Sequence, residues 1–268
     1  MASCFSYFRV EQHQLRINPA KIKIAKRYVE LLKSTFKNEF VSAFVFGSVA
    51  RGEDTSISDI DLTAVLRTPP DASQLRKIGK TGRFGETIGR GEFRKISCVT
   101  VSRDLFSELI RKRAPREGVN PLREAIILHD SGFIGSLKRE VELGIISLKD
   151  DAFRDYIRYG DIRRSCLVES TWEHNKRDAR SDAAKAATHY LRAYFLYWEH
   201  EMILSIQKLS KRIKTENRAI AMLYENILEG DYDKDFVDAI RDWVVGSISR
   251  SSQVIPFPRK SSDPVSSA

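Results

Sequence analysis

The sequence predicts an α+β fold: a small mixed β-sheet with flanking helices, followed by an all-α helical bundle. Three observations predict it. Short apolar runs of strand length punctuate the first half, each bounded by turn residues. Stretches with helical periodicity stand between those runs. From about residue 151 onward only helical spacing remains. The chain of 268 residues suits two small domains. The expected division is 1–150 for the mixed part, 151–250 for the helical bundle and 251–268 for a disordered tail rich in serine and proline.

The first helix opens at Asn18-Pro19, with asparagine as N-cap and proline at the first helical position. Ile22, Ala25, Tyr28 and Leu32 carry it to about Phe36. Val41 to Phe46 reads as a buried strand that ends in Gly47-Ser48. A polar loop, Arg51 to Ser58, leads to a second strand, Asp59 to Leu66, closed by Pro69-Pro70. Residues 71–92 are rich in glycine and basic side chains, and the basic run over 76–95 reads as a flexible loop, either holding triphosphate or a nucleic-acid acceptor or simply solvated. Arg94 to Val101 makes a third strand and Ala125 to Leu128 a fourth, with helices over 103–113 and 133–148. Further helices are expected over 151–175, from Asp182, over 216–228 and over 233–249. The second of these carries an apolar stripe at Leu191, Tyr194, Phe195, Trp198 and Met202.

Composition narrows the function classes. Net charge is +9, from 45 basic and 36 acidic residues, which favours polyanionic partners such as nucleotides or nucleic acid. Cys4, Cys98 and Cys166 are odd in number and lack metal-ligand spacing, which argues against a disulfide framework and a zinc site. No apolar run approaches the roughly 20 residues needed to span a bilayer, and the first residues lack a secretory pattern. A cytoplasmic protein with no membrane partner is expected, and a homodimer is compatible with the sequence. Ile78-Gly79-Lys80-Thr81 resembles the end of a P-loop, but Gln74 stands where that motif needs its first glycine.

The stretch that carries chemistry is Phe46-Gly47-Ser48-Val49-Ala50-Arg51-Gly52, then Ser58-Asp59-Ile60-Asp61-Leu62. Asp59 and Asp61 are two apart on an expected strand, so their carboxylates face the same way. Side by side they repel unless a cation lies between them. Hard oxygen ligands of this kind suit Mg²⁺, which takes one or two carboxylates plus substrate phosphates. At Gly47-Ser48 a strand turns, glycine lets a phosphate approach the backbone, and serine adds a hydroxyl. An Asp-x-Asp alone is common in solvated loops. Its combination with Gly47-Ser48, Arg51-Gly52 and flanking apolar strands is far rarer.

These residues resemble the nucleotidyltransferase superfamily that includes DNA polymerase β, whose signature is Gly-Ser, a spacer, then Asp-x-Asp. Close similarity covers about residues 44–66, and similarity in element order extends to about 150. Antibiotic nucleotidyltransferases also pair such a domain with a C-terminal helical bundle. The resemblance implies that residues 1–150 form a nucleotidyltransferase domain with a polymerase β-like fold. It implies an ATP-class NTP substrate, two Mg²⁺ ions on Asp59 and Asp61, and a triphosphate held by Gly47 and Ser48. Arg51 and Ser58 are further candidates for nucleotide contact, Arg51 being equally well explained as a structural or solvated arginine. The implied reaction moves an NMP to an acceptor hydroxyl and releases pyrophosphate. The acceptor would be an RNA or tRNA end, or a small molecule such as an aminoglycoside. Net positive charge leans toward RNA, while acids of the helical half, among them Asp178 and Asp182, keep a polycationic acceptor open.

The resemblance also implies a third carboxylate on a later strand, as metal ligand or general base. Ser97 stands at that position. Glu92 is the nearest acid, five residues earlier, and faces the other way in a regular strand unless a bulge intervenes. Glu169 and Glu173, four apart on one helical face, are the alternative candidates. The missing carboxylate also supports a second reading, a catalytically weak nucleotide-binding partner or antitoxin-type protein on the same fold.

Overall fold

The structure, a computed structural model, describes residues 17–56, 58–82, 86–170, 176–230 and 233–252. Contacts divide the chain into two compact units, 1–150 and 151–268.

The first unit is built on a mixed sheet. Helix α1 (Pro19–Phe36) begins as the sequence dictates: the Asn18 side chain accepts from the Ala20 and Lys21 amides at 3.1 and 3.3 Å, with Pro19 at the first turn. Strand β1 (Phe40–Phe46) runs into a single helical turn, α2 (Gly47–Ala50), and β2 (Ile60–Leu66) follows. Helix α3 (Ala72–Ile78), the hairpin strands β3 (Lys80–Thr81) and β4 (Glu86–Ile88), and β5 (Ile96–Ser102) come next. Helices α4 (Arg103–Arg111) and α5 (Asn120–Glu124), strand β6 (Ile126–Asp130) and helix α6 (Phe133–Glu142) complete the unit. The sheet order is β3-β4-β5-β2-β1-β6, with β2 and β5 parallel and the other neighbours antiparallel.

Both faces of the sheet are covered. Ala43, Val45, Ile60, Leu62, Ala64, Ile96 and Cys98 pack with Ala25, Tyr28 and Leu32 of α1. Phe44, Val65 and Val101 pack with Phe106 and Ile110 of α4, Leu122 of α5 and Ile134 of α6. Alternate residues of β2 therefore serve different layers, which fixes its register: a one-residue slip would exchange the two sets. The buried strand between two apolar layers is what the short apolar runs predict.

Three elements differ from expectation. Residues 71–92 are not one flexible loop. Asp71 caps α3 by accepting the Gln74 amide at 2.8 Å, and the Gln74 side chain returns the bond at 3.0 Å, a capping box. The strand expected to end at Leu128 runs to Asp130. The Asp130 carboxylate accepts the Ile134 and Gly135 amides at 3.0 and 2.8 Å and starts α6. The helix expected to reach residue 148 stops at Glu142, two residues before Gly144 with φ 73°.

The second unit is all helical among the described residues: α7 (Ala152–Ser170), α8 (Lys176–Glu199), α9 (Ile206–Glu216), α10 (Arg218–Glu229) and α11 (Lys234–Ser252). Helix α8 sits at its centre, burying Ala183, Ala187, Tyr190, Leu191 and Phe195. Of the stripe expected on α8, Trp198 is exposed and Met202 lies beyond the helix end, so the buried face is shifted toward the small residues. Those alanines let helices approach closely. Gly160 of α7 leaves room for the Tyr190 ring, which a methyl there would meet at 2.4 Å. Tyr194 packs on Trp243 of α11 with ring centroids 4.4 Å apart, both half-buried, while Phe195 of the same stripe is buried in the core. Among the described residues no helix is long and apolar enough to cross a membrane. The tail expected from 251 lies outside the described residues beyond Ser252.

Candidate functional site

The site is assembled where β1 ends and β2 begins. Asp61 pairs across the ladder with Phe46 of β1 and, on its other side, with Ser97 of β5. Asp59 lies just before β2 and is exposed, while Asp61 is half-buried. The two-residue spacing puts both carboxylates on one face where the alternation of β2 extends back to Asp59. It is the face that, farther along β2, meets α4 with Val65.

Gly47 follows Phe46 directly and turns the chain with φ 73°. Its missing side chain also makes room for Asp61. A Cβ built on Gly47 would meet Asp61 Oδ2 at 2.5 Å. Only glycine satisfies both conditions, the left-handed backbone and the empty space. The Gly47-Ser48 turn and the Asp61 carboxylate are thus in contact across one strand pair.

Three charged side chains hold that turn. Glu124 of α5 accepts the Gly47 amide at 2.7 Å and Arg51 Nη1 at 2.7 Å. Arg51 Nε donates to Glu53 at 2.8 Å. All three side chains are largely buried. Burial disfavours the charged Arg51 guanidinium most strongly, but Glu124 and Glu53 outweigh it and raise its pKa above the ordinary value. Arg51 was a candidate for phosphate contact. Its place is instead a clamp between two carboxylates, and the Gly47 N–H is donated to Glu124.

The loop between the turn and β2 is tied as firmly. Lys21 of α1 pairs with Asp54 at 3.0 Å and donates to the carbonyls of Thr55 and Ser58 at 2.7 and 2.8 Å. Asn18 adds a bond to Asp54 at 3.2 Å. Lys95 donates to the Ser56 carbonyl. Ser58, a candidate nucleotide contact, accepts the Thr55 amide at 2.9 Å through its hydroxyl and so closes the loop.

The carboxylates expected to complete the site are dispersed. Glu92, in the 3-10 turn Gly91–Phe93, is paired with Arg27 of α1 at 2.6 Å. The Glu169 side chain and all of Glu173 lie outside the described residues. Asp182 is buried and paired with Arg163 at 2.9 Å, which removes it from any acid-rich acceptor wall. At the position expected to hold a third carboxylate, the Ser97 hydroxyl donates to Glu86 of β4 at 3.1 Å. Sequence reasoning missed Glu86, Glu53, Glu124 and Lys21. Only Glu86 left a local trace, the strand-like Glu86-Thr87-Ile88.

The donor set fits a hard divalent cation. Two carboxylates share one face, and among the described residues no His, Cys, Asp or Glu joins them in a group of three. A cation held there would complete its shell with phosphate and water oxygens, as Mg²⁺ does.

Residues 25–111 match the family model described as a nucleotidyltransferase domain. Among solved structures the chain is similar to spectinomycin adenyltransferase from Enterococcus faecialis, crystallised with ATP and spectinomycin. Identity is 13%, 87% of this chain and 99% of that one are covered, and the TM-score is 0.51. A nucleotidyltransferase-like protein from Exiguobacterium sibiricum 255-15 matches at 13% identity over 85% of this chain and 75% of that one, with a TM-score of 0.38. No curated protein matches the chain. The chain carries a nucleotidyltransferase domain on an α+β fold, and Gly47, Ser48, Asp59 and Asp61 all lie within it.

Proposed function

We propose that this nucleotidyltransferase moves an NMP from an NTP to an acceptor hydroxyl and releases pyrophosphate, with Mg²⁺ held by Asp59 and Asp61. The observation that carries this reading is the contact between turn and carboxylate: Gly47 yields the space that Asp61 occupies. A phosphate seated on the Gly47-Ser48 turn lies next to the carboxylate pair with no rearrangement of the backbone.

The turn stays in place because Glu124 holds the Gly47 amide and Arg51. Ser48 offers its hydroxyl to the triphosphate. Asp59 and Asp61 are the carboxylates that would hold divalent Mg²⁺ beside the triphosphate. Bound Mg²⁺ supplies charge neutralisation for the triphosphate and for the leaving pyrophosphate. The protein's own task is then positioning: in-line placement of the acceptor oxygen and α-phosphorus, in which an error of about 1 Å costs about 10²-fold in rate. ATP is the first donor to test, since the adenyltransferase neighbour was crystallised with it.

The acceptor is the hydroxyl of an RNA or tRNA end, or of a small molecule such as an aminoglycoside. The net charge of +9 favours the RNA end. Burial of Asp182 against Arg163 weakens the case for an acid-lined pocket.

The test uses NTPs labelled at the α-phosphate, Mg²⁺, and either total cellular RNA or a panel of aminoglycosides. The expected result is label transfer by the wild type and none by Asp59→Ala/Asp61→Ala. If the two proteins behave alike in every arm, the transferase reading is lost and a nucleotide-binding role without transfer takes its place.

A further inference from the structure

We propose that Glu86 is the carboxylate that takes the acceptor's proton, presented to the site from β4 in place of the carboxylate absent at Ser97. The inference rests on the transfer reaction proposed above and names the residue that reaction still lacks.

Register places it. Asp61 is opposite Ser97 in the parallel β2–β5 pair. Across the antiparallel β4–β5 pair, Ile88 is opposite Ser97 and Glu86 is opposite Val99. Residues directly opposite in a ladder share a face, as do alternate residues of one strand. Asp61, Ser97, Val99 and Glu86 therefore share one face, and it is the face that carries Asp59.

The side chain then closes the gap along the strand. Glu86 starts at the level of Val99, yet its Oε2 accepts the Ser97 hydroxyl at 3.1 Å. The carboxylate thus leans toward the strand end where Asp61 stands. A serine hydroxyl is no base at neutral pH, but as a donor it fixes a carboxylate's direction. Strands are about 4.8 Å apart and residues rise about 3.4 Å along them, so the Asp61 and Glu86 backbones, two strands and two residues apart, are separated by about 12 Å. That separation keeps Glu86 out of a metal-sized group, in agreement with the absence of a third acid beside Asp59 and Asp61 among the described residues. It leaves room for an acceptor oxygen between the carboxylate and the phosphate.

Glu92 is placed differently. Its partner is Arg27 of α1, and α1 covers the opposite face, with Ile96 and Cys98. In the step assigned to Glu86, the acceptor O–H bond breaks and its proton passes to the carboxylate. The acceptor oxygen bonds to the α-phosphorus. The bond from the α-phosphorus to the bridging oxygen breaks, and pyrophosphate leaves with that electron pair. Glu86 then releases the proton to solvent.

The experiment compares wild type, Glu86→Gln, and Glu86→Gln/Ser97→Asp. Pyrophosphate release from Mg·ATP is measured with total cellular RNA, with an aminoglycoside panel, and with water alone as acceptor. Binding of Mg·α,β-methylene-ATP is measured by calorimetry. Glu86→Gln should bind the analogue within about two-fold of wild type and lose about 10²–10⁴-fold in turnover, the range for a general base. Ser97→Asp in that background should recover part of the loss by returning a carboxylate to the neighbouring strand. Turnover by Glu86→Gln within about three-fold of wild type overturns the assignment. So does loss of analogue binding by Glu86→Gln, whereas a wild type that binds the analogue but releases no pyrophosphate in any arm defeats the transfer reaction on which the assignment rests. A wild type that binds no analogue defeats instead the nucleotide-binding reading on which the assignment rests.

Discussion

Replacing Gly47 by alanine tests the geometry of the turn and of the carboxylate together. The backbone there has φ 73°, and the new Cβ would lie 2.5 Å from Asp61 Oδ2. Left-handed backbone costs a non-glycine residue about 1–2 kcal/mol. The contact is far inside the roughly 3.5 Å at which non-bonded atoms rest. Asp61 must therefore swing off its rotamer, which adds about 0.5–1.5 kcal/mol. The total is about 1.5–3.5 kcal/mol, or roughly 3–14 °C in melting temperature for a protein of this size. The Asp61→Ala background separates the two terms, because there the Cβ meets no carboxylate oxygen. Gly47→Ala should cost about 1–2 kcal/mol in that background, and the difference between backgrounds is the contact. Thermal unfolding of the four proteins measures it. Equal cost of Gly47→Ala in both backgrounds refutes the contact. An unchanged melting temperature in the wild-type background refutes the backbone argument as well. In the transfer assay Gly47→Ala should lose about 10²-fold, since it displaces a carboxylate by about 1 Å.

Two further outcomes follow from named contacts. Glu124→Ala leaves the Gly47 amide and one edge of the buried Arg51 unpaired, and should cost on the order of 3 kcal/mol in chemical unfolding. Glu124→Gln, which keeps an acceptor, should cost less, and equal losses for the two would show that the carboxylate's shape and hydrogen bonding contribute nothing. Asp130 gives a pH dependence. Burial opposes its ionisation most, but bonds from the Ser42 hydroxyl and the Gly135 and Ile134 amides outweigh it, and its pKa is lowered. A lowered carboxylate pKa contributes stability that is fully present above the ordinary pKa of about 4 and is lost as pH falls through the lowered value. Asp130→Asn should flatten the acid limb of the stability curve over that window. An unaltered acid limb would count against the bonds to Asp130.

The parts legible in the sequence were those with a local signature. Asn18-Pro19 announced α1, and burial on both faces made β1 and β2 readable as apolar runs. Gly47-Ser48 and Asp59-Ile60-Asp61 could be picked out as a candidate site because each group lies within one strand or turn. The hairpin β3–β4 was not legible. Its strands are two and three residues long, and glycines on either side resemble a loop until β5 supplies the partner. Glu124 was invisible for another reason. It bonds Gly47 across 77 positions, and nothing near either residue records that separation. The sequence left Arg51 open between phosphate, structural and solvated roles because a basic residue in a polar loop carries no sign of two buried acids waiting for it. In each case the missing information was a partner distant in sequence, and burial, which decides what a charge does, is a property of the assembled core.

The bonds on residues 51–58 have a consequence for how a ligand is received. Arg51 is fastened to Glu53 and Glu124. Asp54, Thr55 and Ser58 are fastened to Lys21, and Ser56 to Lys95. A polar loop with so many anchors behaves as a strut. The entropy of fixing it is spent during folding, before any nucleotide arrives, so binding has little left to order there. The carboxylates that follow it are presented on a preorganised support. Amides of this segment should exchange with solvent as slowly as those of the adjoining strands, and nucleotide addition should slow them little further.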